Sequence, residues 1–141
     1  MITRYPLERL AELREVRATG AAIDLAAALG GEAAADAEVT AARAAVEAAR
    51  AAARGVPLAG ATAVPAWAVI QREAWAMRLR RELARCQARL AAVEAERDEW
   101  RTAVALGREQ ATSARADHQV VERHRERWED GERKKRERRE E

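Results

Sequence analysis

Residues 79–104 read LRRELARCQARLAAVEAERDEWRTAV, and mostly apolar residues recur in this segment at alternating spacings of four and three. The same spacing continues to residue 128, through Leu79, Leu83, Cys86, Leu90, Val93, Arg97, Trp100, Val104, Gly107, Ala111, Ala114, His118, Val121, Arg125 and Trp128. Such a stripe covers one narrow face of an α-helix and is buried only when a second helix lies along it. The segment therefore predicts a long helix with a helical partner.

The first half of the chain offers that partner. The same spacing recurs at Val39, Ala42, Val46, Ala49, Ala53 and Val56. Between the two stripes, residues 55–65 (GVPLAGATAVP) are the one dense helix-breaking stretch. The pattern predicts an all-α fold in which two long helices form an antiparallel coiled-coil hairpin, as a single domain over residues 1–141. Helix 1 is expected at about 6–54, the turn at about 55–65, the longer helix 2 at about 66–135, and a charged tail to 141.

The start of the first helix has a stripe of its own. Pro6 suits the first turn of a helix, where its missing N–H is not needed. The stripe that follows is Leu7, Leu10, Leu13 and Val16. Its register does not carry into the stripe that begins at Val39, so we expect a stutter near Gly30 and Gly31. Each glycine costs about 1 kcal/mol relative to alanine, which predicts a bent or frayed helix there.

The charges are interleaved and nearly balanced. The chain has 26 basic and 24 acidic side chains, a net charge of +2, and its basic run at 133–139 is flanked by acidic residues. We therefore expect no nucleic-acid partner. Residues 18–42 contain no Lys or Arg, whereas residues 72–89 contain six Arg. In a hairpin these stretches lie partly opposite each other, which favours charge pairing between the helices.

Catalytic and metal-binding patterns find no support in the sequence. His118 and His124 are six residues apart, which does not place them on one helix face, and no metal-ligand spacing or glycine-rich phosphate loop is present. We expect no catalytic residue, no cofactor, no metal and no enzyme activity. The N-terminus lacks the apolar core of a signal peptide, and the apolar stretch 58–70 is too short to span a bilayer. The sequence thus predicts a cytoplasmic protein without membrane insertion.

The four tryptophans stand out in a chain with no Phe. Core packing explains Trp100. The stripes of the two helices are expected to meet along a seam. Trp128 falls where the longer second helix is expected to extend beyond the first, so no residue of helix 1 would contact it across that seam. It is flanked by Arg125 and Arg127. An exposed aromatic beside arginine is typical of a binding hot spot. Trp67 and Trp75 lie beside the turn, where they either cap the hairpin or present an apolar tip.

Both ends of the sequence resemble one family. Tyr5-Pro6-Leu7-x-x-Leu10-x-x-Leu13-Arg14 and the charged C-terminal run with Trp128-Glu129-x-x-Glu132-Arg133 resemble the YscO/SctO stalk proteins of type III secretion systems, which are relatives of flagellar FliJ. The chain length and the two expected helices agree with that family. The alanine-rich, glycine-interrupted first helix departs from the Gln- and Glu-rich helices of the family.

The resemblance implies a function and its partners. Members of this family enter the pore of the hexameric secretion ATPase, promote its activity and link it to the export gate, and some handle substrate chaperones. On that analogy the residues facing the ATPase are Tyr5, Leu7, Leu10, Arg125 and Trp128. The residues of the turn that would face the gate are Val64, Trp67 and Val69. The expected location is the cytoplasm, at the periphery of the inner-membrane secretion apparatus.

Two other functions are compatible with the sequence. A generic structural coiled-coil scaffold explains the seam equally well and predicts parallel self-association with no functional turn. A flagellar FliJ-type export protein would share the chemistry and differ in its partner.

Overall fold

Two helices packed against each other make up the described part of the chain. The computed structural model describes residues 4–55 and 64–140. Helix α1 is Glu8–Arg54 and helix α2 is Ala66–Glu140, so the second helix is the longer one. The prediction of an all-α helical hairpin is confirmed. The predicted turn at about 55–65 lies mostly outside the described residues, which do not include residues 56–63. The extension of one domain over all of residues 1–141 stays a prediction.

Each helix begins just after a proline. The Glu8 amide donates to the Tyr5 carbonyl at 3.3 Å, and the Ala68 amide donates to the Pro65 carbonyl at 2.9 Å. Proline fits these starts because its fixed φ suits the first turn of a helix. The observed starts lie within two residues of the predicted ones, and α2 ends five residues later than predicted, at Glu140.

The chain divides into two compact units. The first unit is Met1–Gly30 with Thr102–Glu141, and the second unit is Gly31–Arg101. In the first unit, Tyr5 contacts His124 and Leu25 lies beside Gly107. In the second unit, Gly31 lies beside Trp100, and Glu38 pairs with Arg89. Within each unit, low residue numbers on α1 meet high numbers on α2, so the two helix segments are antiparallel.

The predicted seam of α2 is the buried face of that helix. Val93, Val104, Ala114 and Val121 are buried, and every other seam position from residue 79 to residue 128 is buried or half-buried. On α1 the predicted positions Val39, Ala42 and Val46 are buried, and Ala49 and Ala53 are half-buried. Val56, the last predicted position of that stripe, lies outside the described residues. The spacing of three and four residues thus correctly identified the packed face of α2 and that of α1 from residue 39 onward.

The interpretation of the N-terminal stripe is wrong. Leu7, Leu10, Leu13 and Val16 are exposed, with Leu13 and Val16 at 67% and 70%. The buried residues of this part of the chain are Tyr5, Ala11 and Ala28. Alanines form much of the packed face of α1 here, because small side chains let two helices approach closely. Leu13 and Val16 lie on other faces of the helix.

The predicted stutter near Gly30 and Gly31 is also wrong. Helix α1 runs without interruption through both glycines. Ala28, Ala35 and Ala42 are all buried and follow one another at intervals of seven residues. One heptad register therefore runs through these three alanines. The sequence predicted a change of register before Val39 because it counted from leucines that are in fact exposed.

Candidate functional site

Tyr5 anchors the first described residues of the chain to α2. Tyr5 is 6% exposed and forms a cluster with Ala11 and Val121, against which the half-buried Trp128 packs. The ring centroids of Tyr5 and Trp128 are 5.5 Å apart with an interplanar angle of 60°, a tilted arrangement that aromatic pairs favour. These residues, with His124, are called the terminal cluster below, and all of them belong to the first unit.

The Tyr5 hydroxyl has two partners on α2. It lies 2.9 Å from His124 Nδ1 and 3.4 Å from the Val121 carbonyl oxygen. A hydroxyl group has one proton to donate and two lone pairs to accept with. The hydroxyl can therefore have both partners at once, and the shorter contact holds Tyr5 against His124. Residues 121, 124 and 128 share one face of α2 at spacings of three and four, which is why one tyrosine reaches all three.

Trp128 has a seam partner, contrary to the sequence prediction. The expected overhang would have left its indole without a contact from the first half of the chain, but Tyr5 packs against it. Arg125 joins the same surface: its guanidinium carbon lies 5.8 Å from the Tyr5 ring centroid, within cation–π range. Its Nε also donates to Glu129 Oε1 at 3.2 Å. Tyr5, Arg125 and Trp128 are thus brought together by the fold.

Leu7 and Leu10 differ from those three residues. They are 36% and 38% exposed; Leu7 is the residue just before α1, and Leu10 lies in the first turn of α1. Exposed leucines at a spacing of three lie on the same side of a helix and can contact one partner. Of the five residues predicted to face an ATPase, Tyr5 and Trp128 belong to the terminal cluster and Arg125 lies against it. Leu7 and Leu10 are open to a partner.

The ion pairs near the terminal cluster were not predicted from the sequence. Arg4 and Glu8 pair, and hydrogen bonding to Arg4, reinforced by its charge, lowers the pKa of the Glu8 carboxyl. Arg14 on α1 pairs with Asp117 on α2. Arg14 was counted in the sequence only as part of a family resemblance, and nothing marked Asp117. Asp117 lies opposite Arg14 because each follows a buried alanine of the packed faces by three residues: Ala11 on α1 and Ala114 on α2.

His118 is a further seam residue with a distinct environment. Its Nδ1 is buried and has no hydrogen-bond partner among the described residues. His118 is one of the stripe positions that the sequence predicted for α2. Within the same described residues, no group of three or more His, Cys, Asp or Glu could hold a metal ion.

The residues predicted to face an export gate belong to the second unit. Val64 is half-buried, whereas Trp67 and Val69 are 64% and 42% exposed. Ile70 and Met77, which the sequence analysis did not single out, are also exposed. The signal that could have found them is their spacing from Trp67, since all three lie on the face of α2 that the seam leaves open.

Neither α1 nor α2, as far as the structure describes them, contains a stretch long and apolar enough to cross a membrane. No protein family, curated protein or solved structure matches this chain.

Proposed function

We propose that this chain is the central stalk of a type III protein secretion system. In this role it enters the hexameric secretion ATPase, promotes its activity and couples it to the export gate. Two features support the proposal: the resemblance of both ends of the sequence to the stalk family, and a fold of two packed helices of which the second is longer. The proposal includes substrate chaperones as additional partners in the same role.

One observation carries the proposal further than the sequence did. The two segments that bear the resemblance, one at Tyr5 and one at Trp128, are far apart in the chain but in contact in the structure. Tyr5 is held by His124 at 2.9 Å, and Leu7 and Leu10 follow it on the surface. A binding surface on a packed support loses little conformational entropy when it docks. This is the property that a stalk end needs inside an ATPase ring.

The mechanism follows from symmetry. A hexameric ring presents six equivalent subunits, but a pair of helices with different sequences offers each subunit a different contact. A ligand shifts an equilibrium by the difference in its affinity for the two states. The stalk would therefore bias the nucleotide states of the subunits unequally and stimulate hydrolysis without supplying a catalytic group.

The experiment that tests the proposal is the ATPase rate of the cognate secretion ATPase with and without this chain. Wild type is expected to stimulate hydrolysis. The double variant Leu7→Ser, Leu10→Ser is expected to need at least about tenfold more protein for the same stimulation, because burying a leucine contributes roughly 1.5–3 kcal/mol. Both side chains are exposed, so the variant should keep its helicity.

A matched control separates docking from general loss of surface apolarity. Leu13→Ser, Ile23→Ser changes two side chains that are 67% and 64% exposed, and it should stimulate like wild type. Trp128→Ala is less informative because it also unpacks Tyr5. A folded wild-type chain that neither binds nor stimulates the ATPase would contradict the proposal. Running a flagellar export ATPase in parallel distinguishes the FliJ-type alternative.

A further inference from the structure

The first turns of α2 leave an apolar stripe uncovered. Trp67, Ile70 and Met77 are 64%, 67% and 52% exposed. With the exposed Ala74 they follow spacings of three, four and three, so they lie on one face of the helix. Trp75 and Val69, at 41% and 42% exposed, flank this face. Large apolar side chains gathered on one exposed face usually mark a binding surface.

Charge is distributed unevenly around this stripe. Residues 55–71 contain no charged side chain. The next ten residues, 72–81, contain four arginines and one glutamate. The four arginines are Arg72, Arg78, Arg80 and Arg81. Arg81 follows Met77 by four residues, which places it on the same face as the stripe. An uncharged apolar segment is thus followed by a concentration of positive charge.

Among the described residues, none of the four arginines forms an ion pair within 4 Å. The sequence analysis expected the six arginines of residues 72–89 to pair across the helices. Where the structure describes both partners, only Arg89 of the six does so, with Glu38 at 3.4 Å. Arg85 pairs with Glu82 on its own helix at 3.6 Å. The expected acidic stretch lies too early on α1: in the second unit Val39 and Ala42 cluster with Val93 and Leu90, C-terminal to the four arginines.

We propose that residues 66–81 bind the surface of an anionic lipid bilayer. Trp67, Ile70 and Met77 would enter the boundary between headgroups and acyl chains. The exposed Arg78, Arg80 and Arg81 would contact the lipid phosphates and anionic headgroups, whereas Arg72 is half-buried one heptad before Leu79, on the seam side of α2. An amphipathic helix with exposed Trp and aliphatic residues beside arginine is typical of interfacial binding. Tryptophan in particular is enriched at that boundary. Long arginine side chains can keep their charged ends at the headgroups while their stems lie along apolar surface.

Other classes of partner fit these observations less well. A nucleic acid would engage the arginines but leave the indole of Trp67 and the side chains of Ile70 and Met77 in water. Binding to a nucleic acid would not require residues 55–71 to be free of charge. A lipid surface uses both features at once. The sequence predicted no membrane insertion, and the contact proposed here is confined to the interfacial layer. It goes beyond the proposed stalk function and needs no secretion ATPase.

The test is co-sedimentation of the full chain with vesicles. One set contains phosphatidylcholine alone, and the other contains equal parts of phosphatidylcholine and phosphatidylglycerol. Wild type is expected to bind the second set far more strongly. Arg78→Gln, Arg80→Gln, Arg81→Gln should weaken that binding about 100-fold, since each arginine near an anionic surface contributes roughly a fivefold factor. Trp67→Ala, Ile70→Ala, Met77→Ala should weaken it at least about tenfold.

Two matched controls locate the site. Leu13→Ala, Val16→Ala, Ile23→Ala removes three equally exposed apolar side chains from the first unit. Arg136→Gln, Arg138→Gln, Arg139→Gln removes the same charge from exposed positions near the end of α2. Both controls should bind like wild type, and circular dichroism should show unchanged helicity in all four variants.

Three results would overturn the proposal. Wild type that sediments with neither vesicle would point to a protein partner for residues 66–81. Equal binding to both vesicles would remove the role of the arginines. A control variant that loses as much binding as its matched variant would move the site away from these residues.

Discussion

At the scale of single residues, Gly31 and Trp100 show how a helix can depend on a missing side chain. A Cβ atom at Gly31 would lie 2.6 Å from the Cε3 and Cζ3 atoms of the Trp100 ring, closer than any van der Waals contact. Around Gly30, the adjacent residue, the same construction meets nothing within 4 Å. Two glycines that are identical by helix propensity therefore have different reasons to be present.

The two glycines are expected to respond to alanine in opposite ways. Gly30→Ala should raise the free energy of unfolding by roughly 0.5–1 kcal/mol, because alanine loses less backbone entropy in a helix. Gly31→Ala should lower it by about 1–2 kcal/mol, because the cost of displacing the Trp100 ring exceeds that gain. Urea titrations followed by circular dichroism measure both changes.

A double variant checks the cause. With Trp100→Leu in place, the ring that blocks the Cβ is gone, so Gly31→Ala should become neutral or stabilising. If Gly31→Ala is equally destabilising in both backgrounds, the contact with Trp100 is not the reason. Sequence reasoning could not separate the two glycines, because it assigned both the same propensity cost and had no information on which one faces Trp100.

At the scale of helices, the two packed faces differed in how readily the sequence revealed them. The face of α2 contains Leu90, Val93 and Val104, so its apolar residues stand out from the charged residues around them. The first turns of α1 bury Ala11 while leaving Leu13 and Val16 in water. Hydrophobic periodicity identifies a face by its large side chains, and it fails when the packed residues are alanines and the exposed ones are larger.

A pair of identical substitutions tests that assignment. Val39 is 2% exposed and Val16 is 70% exposed. Val39→Ala should lower the free energy of unfolding by about 2 kcal/mol, through lost burial and the cavity left behind. Val16→Ala should change it by no more than about 0.5 kcal/mol in either direction, because the residue is on the surface. Equal losses in both variants would mean that the leucine stripe at Leu7–Val16 is packed after all.

For the candidate site, the sequence likewise identified some residues but not their contacts. Tyr5, Arg125 and Trp128 could be named from sequence because aromatic residues are rare in this chain. That Tyr5 would cover Trp128 could not be foreseen, since it depends on the register set by alanines such as Ala11. The arginines at 78, 80 and 81 were noticed as a group, but their lack of partners depends on the same register.

At the scale of the whole molecule, positive and negative charges are nearly equal in number but differ in what they do. The ion pairs that join the helices within each unit are partly to largely solvent-exposed; for example, Arg43 and Glu94 are 2.8 Å apart with side chains 59% and 35% exposed. Exposed pairs typically contribute 0 to about 1 kcal/mol each. The fold therefore depends mainly on the apolar seam, while the exposed Arg78, Arg80 and Arg81 remain available for a partner.

Salt should accordingly separate folding from binding. Raising NaCl from low concentration to 1 M shortens the Debye length to about 3 Å. The free energy of unfolding, from urea titration, should fall by no more than about 1–2 kcal/mol, because the pairs it screens are weak. Arg43→Gln provides the internal reference: its small loss of stability at low salt should vanish at 1 M. In the same salt, binding to anionic vesicles should be nearly abolished, since it depends on unneutralised arginines. A chain that unfolds on adding salt would place the ion pairs, and not the seam, at the centre of its stability.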